Sequence, residues 1–332
     1  MSKADACAAI LWIGATLYAV FGGADFGGGF WDLIAGGAER GERPRARVQQ
    51  SLTPVWEANH VWLIFILVVL WTAFPEAFAA IMTTLYVPLA LAALGIVLRG
   101  AGFAFRKSIR SLPARRAMGA AFALSSVLTP FFMGTVVGAI AAGNVPAEGN
   151  GDAFSSWIDL LPLMTGALFV ATGAYLAAIF LVVDSHRAGD KEMEGYFSRR
   201  AMAAGLAAGV VALAGIVALH ADARYAYDRL VVEGLPLVIV SVLCGFGVLG
   251  LLLGRARRGL RPLAVGAVVA VIWGWAVAQF PYLLPTSLTI SEAAAPDPTL
   301  DAVIIVFAVA AVVVLPSLAL LYWLSQKELL GE

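Results

Sequence analysis

Charged residues punctuate this chain at long intervals. Between them lie nine stretches of at least 18 residues free of Asp, Glu, Lys and Arg: 6–24, 58–75, 77–98, 117–147, 160–183, 201–221, 234–254, 262–291 and 302–326. A helix that crosses a bilayer needs roughly 20 apolar residues. The pattern predicts an all-α polytopic membrane protein with about nine transmembrane helices. They are placed at approximately 6–29, 54–75, 77–98, 118–141, 160–183, 201–220, 234–254, 263–283 and 302–324, within one integral membrane domain over 1–332. The weakest is the second, which contains His60 and begins beside Glu57; the Pro75-Glu76 turn predicts a tight hairpin with the third. Pro281 and Pro285 end the eighth helix and free backbone carbonyls there.

Composition closes off other classes. The chain is 61% hydrophobic and 13% charged, against about 25% charged for a soluble domain. That excess cannot be buried in a water-soluble fold, and it excludes disorder. Lys and Arg number 22 against 22 Asp and Glu, so no basic surplus exists for nucleic acid. The basic residues are also unevenly placed. With the N-terminus outside, nineteen fall in alternate, inner connections around 40–47, 99–116, 187–200, 255–261 and 327, and only Lys3, Arg224 and Arg229 fall outside. The positive-inside rule then predicts an external N-terminus and a cytoplasmic C-terminus in a multi-pass protein. The first span lacks a cleavage site and reads as a retained helix.

Ionisable groups at membrane depth are costly, so each is a functional candidate. Asp25 lies in Gly22-Gly23-Ala24-Asp25-Phe26-Gly27-Gly28-Gly29 at the inner end of helix 1. Glycines let helices approach closely, which predicts that Asp25 faces a packed interface; the alternative is an acid ending the helix among the headgroups. Glu57 and His60, three residues apart in Trp-Glu-Ala-Asn-His-Val-Trp, share a helix face. A desolvated glutamate there takes up and releases protons; the alternative is a helix start after Pro54, with Glu57 near the positive helix end.

Other chemistries find little support. A di-iron bundle needs two Glu-x-x-His motifs and two more glutamates, and only one motif is present. His60, His186 and His220 are the only histidines and none is mid-helix, so no haem ligation by this chain is read. The glycine run has no following Lys and is not a phosphate loop. Cys7 and Cys244 have no neighbouring partner and read as buried, inert thiols, and Trp273 and Trp275 as core residues.

Taken in order, Ala-Asp-Phe-Gly-Gly-Gly (24–29), Trp-Glu-Ala-Asn-His-Val-Trp-Leu-Ile (56–64), Thr-Ala-Phe-Pro (72–75), Leu-Arg-Gly-Ala-Gly-Phe-Ala-Phe-Arg (98–106) and Gln-Phe-Pro-Tyr-Leu-Leu-Pro-Thr-Ser (279–287) resemble subunit II of the cytochrome bd-type quinol oxidases, in the cyanide-insensitive-like branch. The resemblance implies two four-helix bundles plus one peripheral helix. It implies a heterodimer in the bilayer with a subunit I that carries haem b, haem d and the quinol site, and sometimes a small single-helix accessory subunit. This chain is then a non-haem subunit, binding no cofactor itself, of an enzyme that couples quinol oxidation to reduction of oxygen to water. It also implies that acids at the positions of Asp25 and Glu57 serve proton uptake from the cytoplasm, with His60 beside them. Two positions depart from the better-known branch: Glu57 replaces a common Asp, and a second acid just before Asp25 is replaced in the Gly22-Gly23 region. From the residues alone, a proton-coupled secondary transporter and a purely structural membrane subunit stay open.

Overall fold

The computed structural model describes residues 2–37, 39–52, 56–106 and 112–326, with side chains described except at 52–59, 103–117, 315, 318–319 and 321–326. The first helical rod is built of α1 (Lys3–Leu17), a π-helical turn (Tyr18–Gly22) and α2 (Gly23–Leu33). Ser2 caps α1 by accepting from the Asp5 N–H while the Asp5 carboxylate accepts from the Ser2 N–H, the reciprocal arrangement that starts a helix cleanly. There follow α3 (Glu42–Leu52), α4 (Trp56–Ala73), α5 (Pro75–Thr84), α6 (Tyr86–Arg106), α7 (Leu112–Ala141), α8 (Leu160–Arg187), α9 (Lys191–Asp222), α10 (Arg224–Val232), α11 (Leu235–Leu253) and α12 (Leu260–Gln279). A small antiparallel hairpin, β1 (Tyr282–Leu284) with β2 (Leu288–Thr289), precedes α13 (Asp297–Gln326).

Seven described helices are long and apolar enough to cross a membrane, or eight if the bent pair α4–α5 is one span. The third expected span follows a different course from the one expected. In place of one helix over 77–98, the chain forms α5, breaks at Leu85 and continues as α6, whose described apolar part is Tyr86–Gly102. Nor do the second and third spans form a tight hairpin. Pro75 sits at the first turn of α5, where its missing N–H costs nothing, and the path turns by 118° between α4 and α5. The eighth helix ends at Gln279, four residues short of its expected limit, because the segment holding Pro281 and Pro285 folds into the hairpin.

Contacts sort the connections into two opposite ends. At one, Lys3 pairs with Asp301 at 2.8 Å and the Ala295 N–H donates to the Ala73 carbonyl at 2.8 Å. Also there, the Ser287 hydroxyl reaches the Val145 carbonyl and the Tyr225 hydroxyl that of Phe280. At the other end Arg43 binds Asp190 and Glu192, Arg47 the Asp184 carbonyl, Arg261 the Asp184 carboxylate at 2.5 Å, and Arg257 Glu194 at 2.5 Å. Three of the Arg-rich connections expected on one side are thus gathered together. Cys7 is buried as expected, but Cys244 is only half-buried, on α11.

Two apolar cores fill the space between these ends. One joins Cys7, Leu11, Phe74, Leu85, Val145 and Leu284, from α1, the α4–α5 corner, the α5–α6 break, the loop after α7 and β1. The other joins Trp31, Leu176, Ile179, Phe197, Val248 and Leu260, from α2, α8, α9, α11 and α12. Trp275 packs on Trp12 at 4.8 Å between ring centres.

At the Arg-rich end, Asp190 caps α9 by accepting from the Met193 N–H at 3.1 Å, which holds its carboxyl below the usual carboxylate range. A group whose folded value is depressed stabilises the fold above the unfolded value, and loses that contribution as pH falls through the carboxylate range. Asp190→Ala should cost about 1 kcal/mol, with Asp190→Asn nearly neutral at pH 7. Thermal melts of the two variants at pH 7 and in acid check this; the deficit of the Ala variant should shrink in acid.

Candidate functional site

Why Asp25 is buried follows from the glycines around it. A side chain on Gly27 would lie 1.9 Å from the Gly173 carbonyl, so α2 and α8 meet backbone to backbone. Trp31 fastens the contact by donating its indole N–H to the Ala174 carbonyl at 2.8 Å. On the neighbouring face, a side chain on Gly29 would strike Ser126 Oγ at 2.0 Å and Arg99 Nη1 at 2.9 Å. The bare faces of α2 therefore admit α6 and α7, and with them a cation.

That cation is Arg99. Its Nη2 donates to Asp25 Oδ1 at 2.8 Å and to the Asp25 carbonyl at 3.0 Å, while Nη1 donates to the Ser126 hydroxyl. Both residues are 2% exposed. The guanidinium lies over two rings, with its carbon 4.9 Å from the centre of Phe26 and 4.5 Å from that of Phe122. Paired charge, hydrogen bonds and aromatic faces together replace the water that both ions have lost. Asp25 Oδ2 and Arg99 Nε are buried without a hydrogen-bond partner among the described residues. The carboxylate thus keeps one oxygen uncommitted, the property needed to receive a proton or bind water.

His60 joins this group from α4. Its ring meets Phe26 edge-on at 5.9 Å between centres, so Phe26 touches the Arg99 cation and the His60 ring alike. Asp25 and His60, 35 positions apart in the chain, belong to one cluster. The backbone at Glu57 lies in the first turn of α4, and its side chain is outside the described part of the structure. His186 and His220 stand apart. The first pairs with Glu194 at 3.1 Å at the Arg-rich end, and the second meets the Tyr227 ring edge-on at 4.7 Å between centres. Among the described residues, no three His, Cys, Asp or Glu side chains are grouped to hold a metal ion.

The cluster corrects two expectations. Asp25 does not end a helix: the rod continues eight residues beyond it to Leu33. Arg99, counted above among inner-loop charges, is a buried residue of α6, which leaves eighteen such charges rather than nineteen. The signal was present, since six uncharged residues, Gly100 to Phe105, separate Arg99 from Arg106, too many for a loop edge. Asp32 was overlooked as well. It is buried on the last turn of α2 and paired with Arg45 of α3 at 2.9 Å.

Residues 4–325 match the family described as cytochrome bd terminal oxidase subunit II. The chain belongs to this family. Among relatives, a subunit II named cytochrome bd ubiquinol oxidase subunit 2, from Bacillus subtilis (strain 168), is 25% identical over 306 residues, spanning 89% of this chain and 86% of that one. A second B. subtilis subunit II, named as a putative cytochrome bd menaquinol oxidase subunit, is 21% identical over 92% of this chain and 91% of the other. Cytochrome bd-I ubiquinol oxidase subunit 2 of Escherichia coli (strain K12) is 29% identical over 126 residues, 38% of this chain and 32% of that one. In fold, this subunit II is similar to a chain in the structure of bd oxidase from Geobacillus thermodenitrificans, with a TM-score of 0.78 over 98% of each chain at 24% identity. Family membership replaces the transporter reading, and it makes this subunit II a membrane component of a terminal oxidase.

Proposed function

We propose that the chain works beside a haem-bearing subunit I in the bacterial inner membrane, and that it conducts protons from the cytoplasmic face to the site where oxygen is reduced. The haems of that partner supply the redox chemistry: two quinols are oxidised while one oxygen molecule and four protons become two waters. What this chain contributes is a path for protons through an apolar region. The observation that carries the reading is the buried Asp25–Arg99 pair, with one carboxylate oxygen uncommitted and His60 held against the shared Phe26 ring. An acid in that state has its charge paired by Arg99, and it retains a lone pair for a proton or water. Glu57, one turn before His60 at the start of α4, collects protons for it. The quinol oxidases named among the relatives support the substrate class.

The end that gathers Arg43, Arg47, Arg257 and Arg261 is assigned to the cytoplasm, which puts the N-terminus outside. Reporter fusions at Gly37 and Arg257 should be active only for the cytoplasmic enzyme; periplasmic activity at either site contradicts this orientation.

The proton reading is tested by Glu57→Gln in the assembled complex. This change keeps size and hydrogen bonding but removes ionisation. Quinol oxidation should slow about tenfold or more with haem content unchanged, at the scale of a lost proton-transfer group. Glu57→Asp should be milder. Normal turnover with normal haem in Glu57→Gln would show that Glu57 only starts a helix.

A further inference from the structure

Resting on the proton-route reading, we propose that Asp32 is a proton-relay residue at the cytoplasmic mouth of the path to Asp25, held by Arg45 of α3. Asp25 and Asp32 are seven residues apart, a spacing that returns to within about 20° on an α-helix, so both lie on one face of α2. Gly29 stands between them on that face, and its missing side chain is where Ser126 Oγ and Arg99 Nη1 sit. One strip of α2 therefore carries a carboxylate, a polar patch and a second carboxylate, leading from the Arg-rich end to the buried pair. No other acid lies between these two on α2.

The two ends of the strip differ in access to water. Asp25 and Arg99 are sealed, whereas Asp32 is buried but paired with the partly exposed Arg45. Arg45 Nε meets Asp32 Oδ1 at 2.9 Å, and Nη2 donates to the Gly36 carbonyl at 2.5 Å, so the same guanidinium also ties down the turn after α2. Because Arg45 reaches solvent, it can remain charged in water when its partner is neutralised. A hydronium ion from the cytoplasmic side protonates the Asp32 carboxylate, leaving water and a neutral acid, and the pair with Arg45 weakens. The proton then leaves toward Asp25, and the restored carboxylate pairs with Arg45 again. The rise between the two acids is about 10 Å, too far for direct transfer, and the Ser126 hydroxyl packed against Gly29 is the hydrogen-bonding group placed to carry the hop.

The test uses the complete oxidase with Asp32→Asn and Asp32→Glu. Asp32→Asn should lower quinol turnover about fivefold or more with full haem content and enlarge the slowing caused by D2O. Asp32→Glu should restore most turnover, a rescue that a purely structural role does not predict. Three results overturn the proposal: wild-type turnover and isotope effect in Asp32→Asn, equal impairment of the Asn and Glu variants with haem intact, or haem loss in Asp32→Asn, which makes the Arg45 pair a structural latch. Glu57→Gln separates the two readings. If it slows turnover while Asp32→Asn does not, the proton route stands and Asp32 is not part of it; if neither slows turnover, the route itself fails.

Discussion

Arg99→Leu should prevent recovery of haem-loaded oxidase. The substitution leaves the Asp25 carboxylate buried with no compensating charge, since Arg99 supplies its side-chain hydrogen bond and its only ion pair among the described residues. Breaking one partner out of a buried pair costs about 3–5 kcal/mol, because the remaining ion keeps its desolvation penalty and loses its counterion. Against a typical stability of about 5–15 kcal/mol, that removes between about a fifth and all of the margin. The remedy is specific. Asp25→Asn combined with Arg99→Gln removes both charges, so that neither ion is left buried without its counterion. Complex yield and haem content should return to near wild type in the double variant. A single Arg99→Leu variant that assembles normally would show that the pair contributes little to the fold.

Gly27→Leu should be as damaging, for a steric reason. A Cβ at this position falls 1.9 Å from the Gly173 carbonyl and 2.8 Å from the Ala174 nitrogen, both backbone atoms that no rotamer change can move aside. Even Gly27→Ala must force α2 and α8 apart, with overpacking costs of about 1–3 kcal/mol or more. Separation also displaces Asp25, two residues earlier on the same helix, from Arg99. Gly195→Ala is the matched control: nothing lies within 4 Å of its added Cβ, near the start of α9. It should be neutral or stabilising by up to about 1 kcal/mol, the helix-propensity difference. Melting temperatures and haem content of the three variants, in the same complex, test this ranking; Gly27→Ala melting with wild type would contradict the close α2–α8 contact.

Much of this architecture is legible in charge spacing. The greater part of α7, α8 and α13 and all of α11 fall in the intervals where no charge occurs, because a charge-free run of that length has nowhere to go but a membrane or a core. The same criterion underestimates α9, which starts at Lys191 rather than 201, since the charges of its first turns lie at the Arg-rich end, where Glu194 meets Arg257. It also cannot see a bend made by local backbone chemistry, as at Phe74-Pro75, or a break such as Leu85, where no charge marks the change. At the site, the glycine run announced a buried Asp25 correctly. Its counterion could not be found that way, because the pairing joins residues 74 positions apart and depends on which helices pack together. Counting Arg99 as a loop charge is the error that follows when a lone cation in an apolar run is assigned to the nearest turn.

In the proposed proton route Asp25 takes up and releases a proton during turnover rather than merely holding the subunit together. The double variant Asp25→Asn with Arg99→Gln decides it, because it removes both charges together in a complex that still assembles. Quinol-dependent oxygen consumption should be measured per haem d in purified oxidase across pH 6 to 9 (an assay range of roughly three units around neutrality). Full haem content is expected, with turnover about tenfold or more below wild type throughout. Full haem content with undiminished turnover would contradict it, and would leave the buried pair a structural device alone.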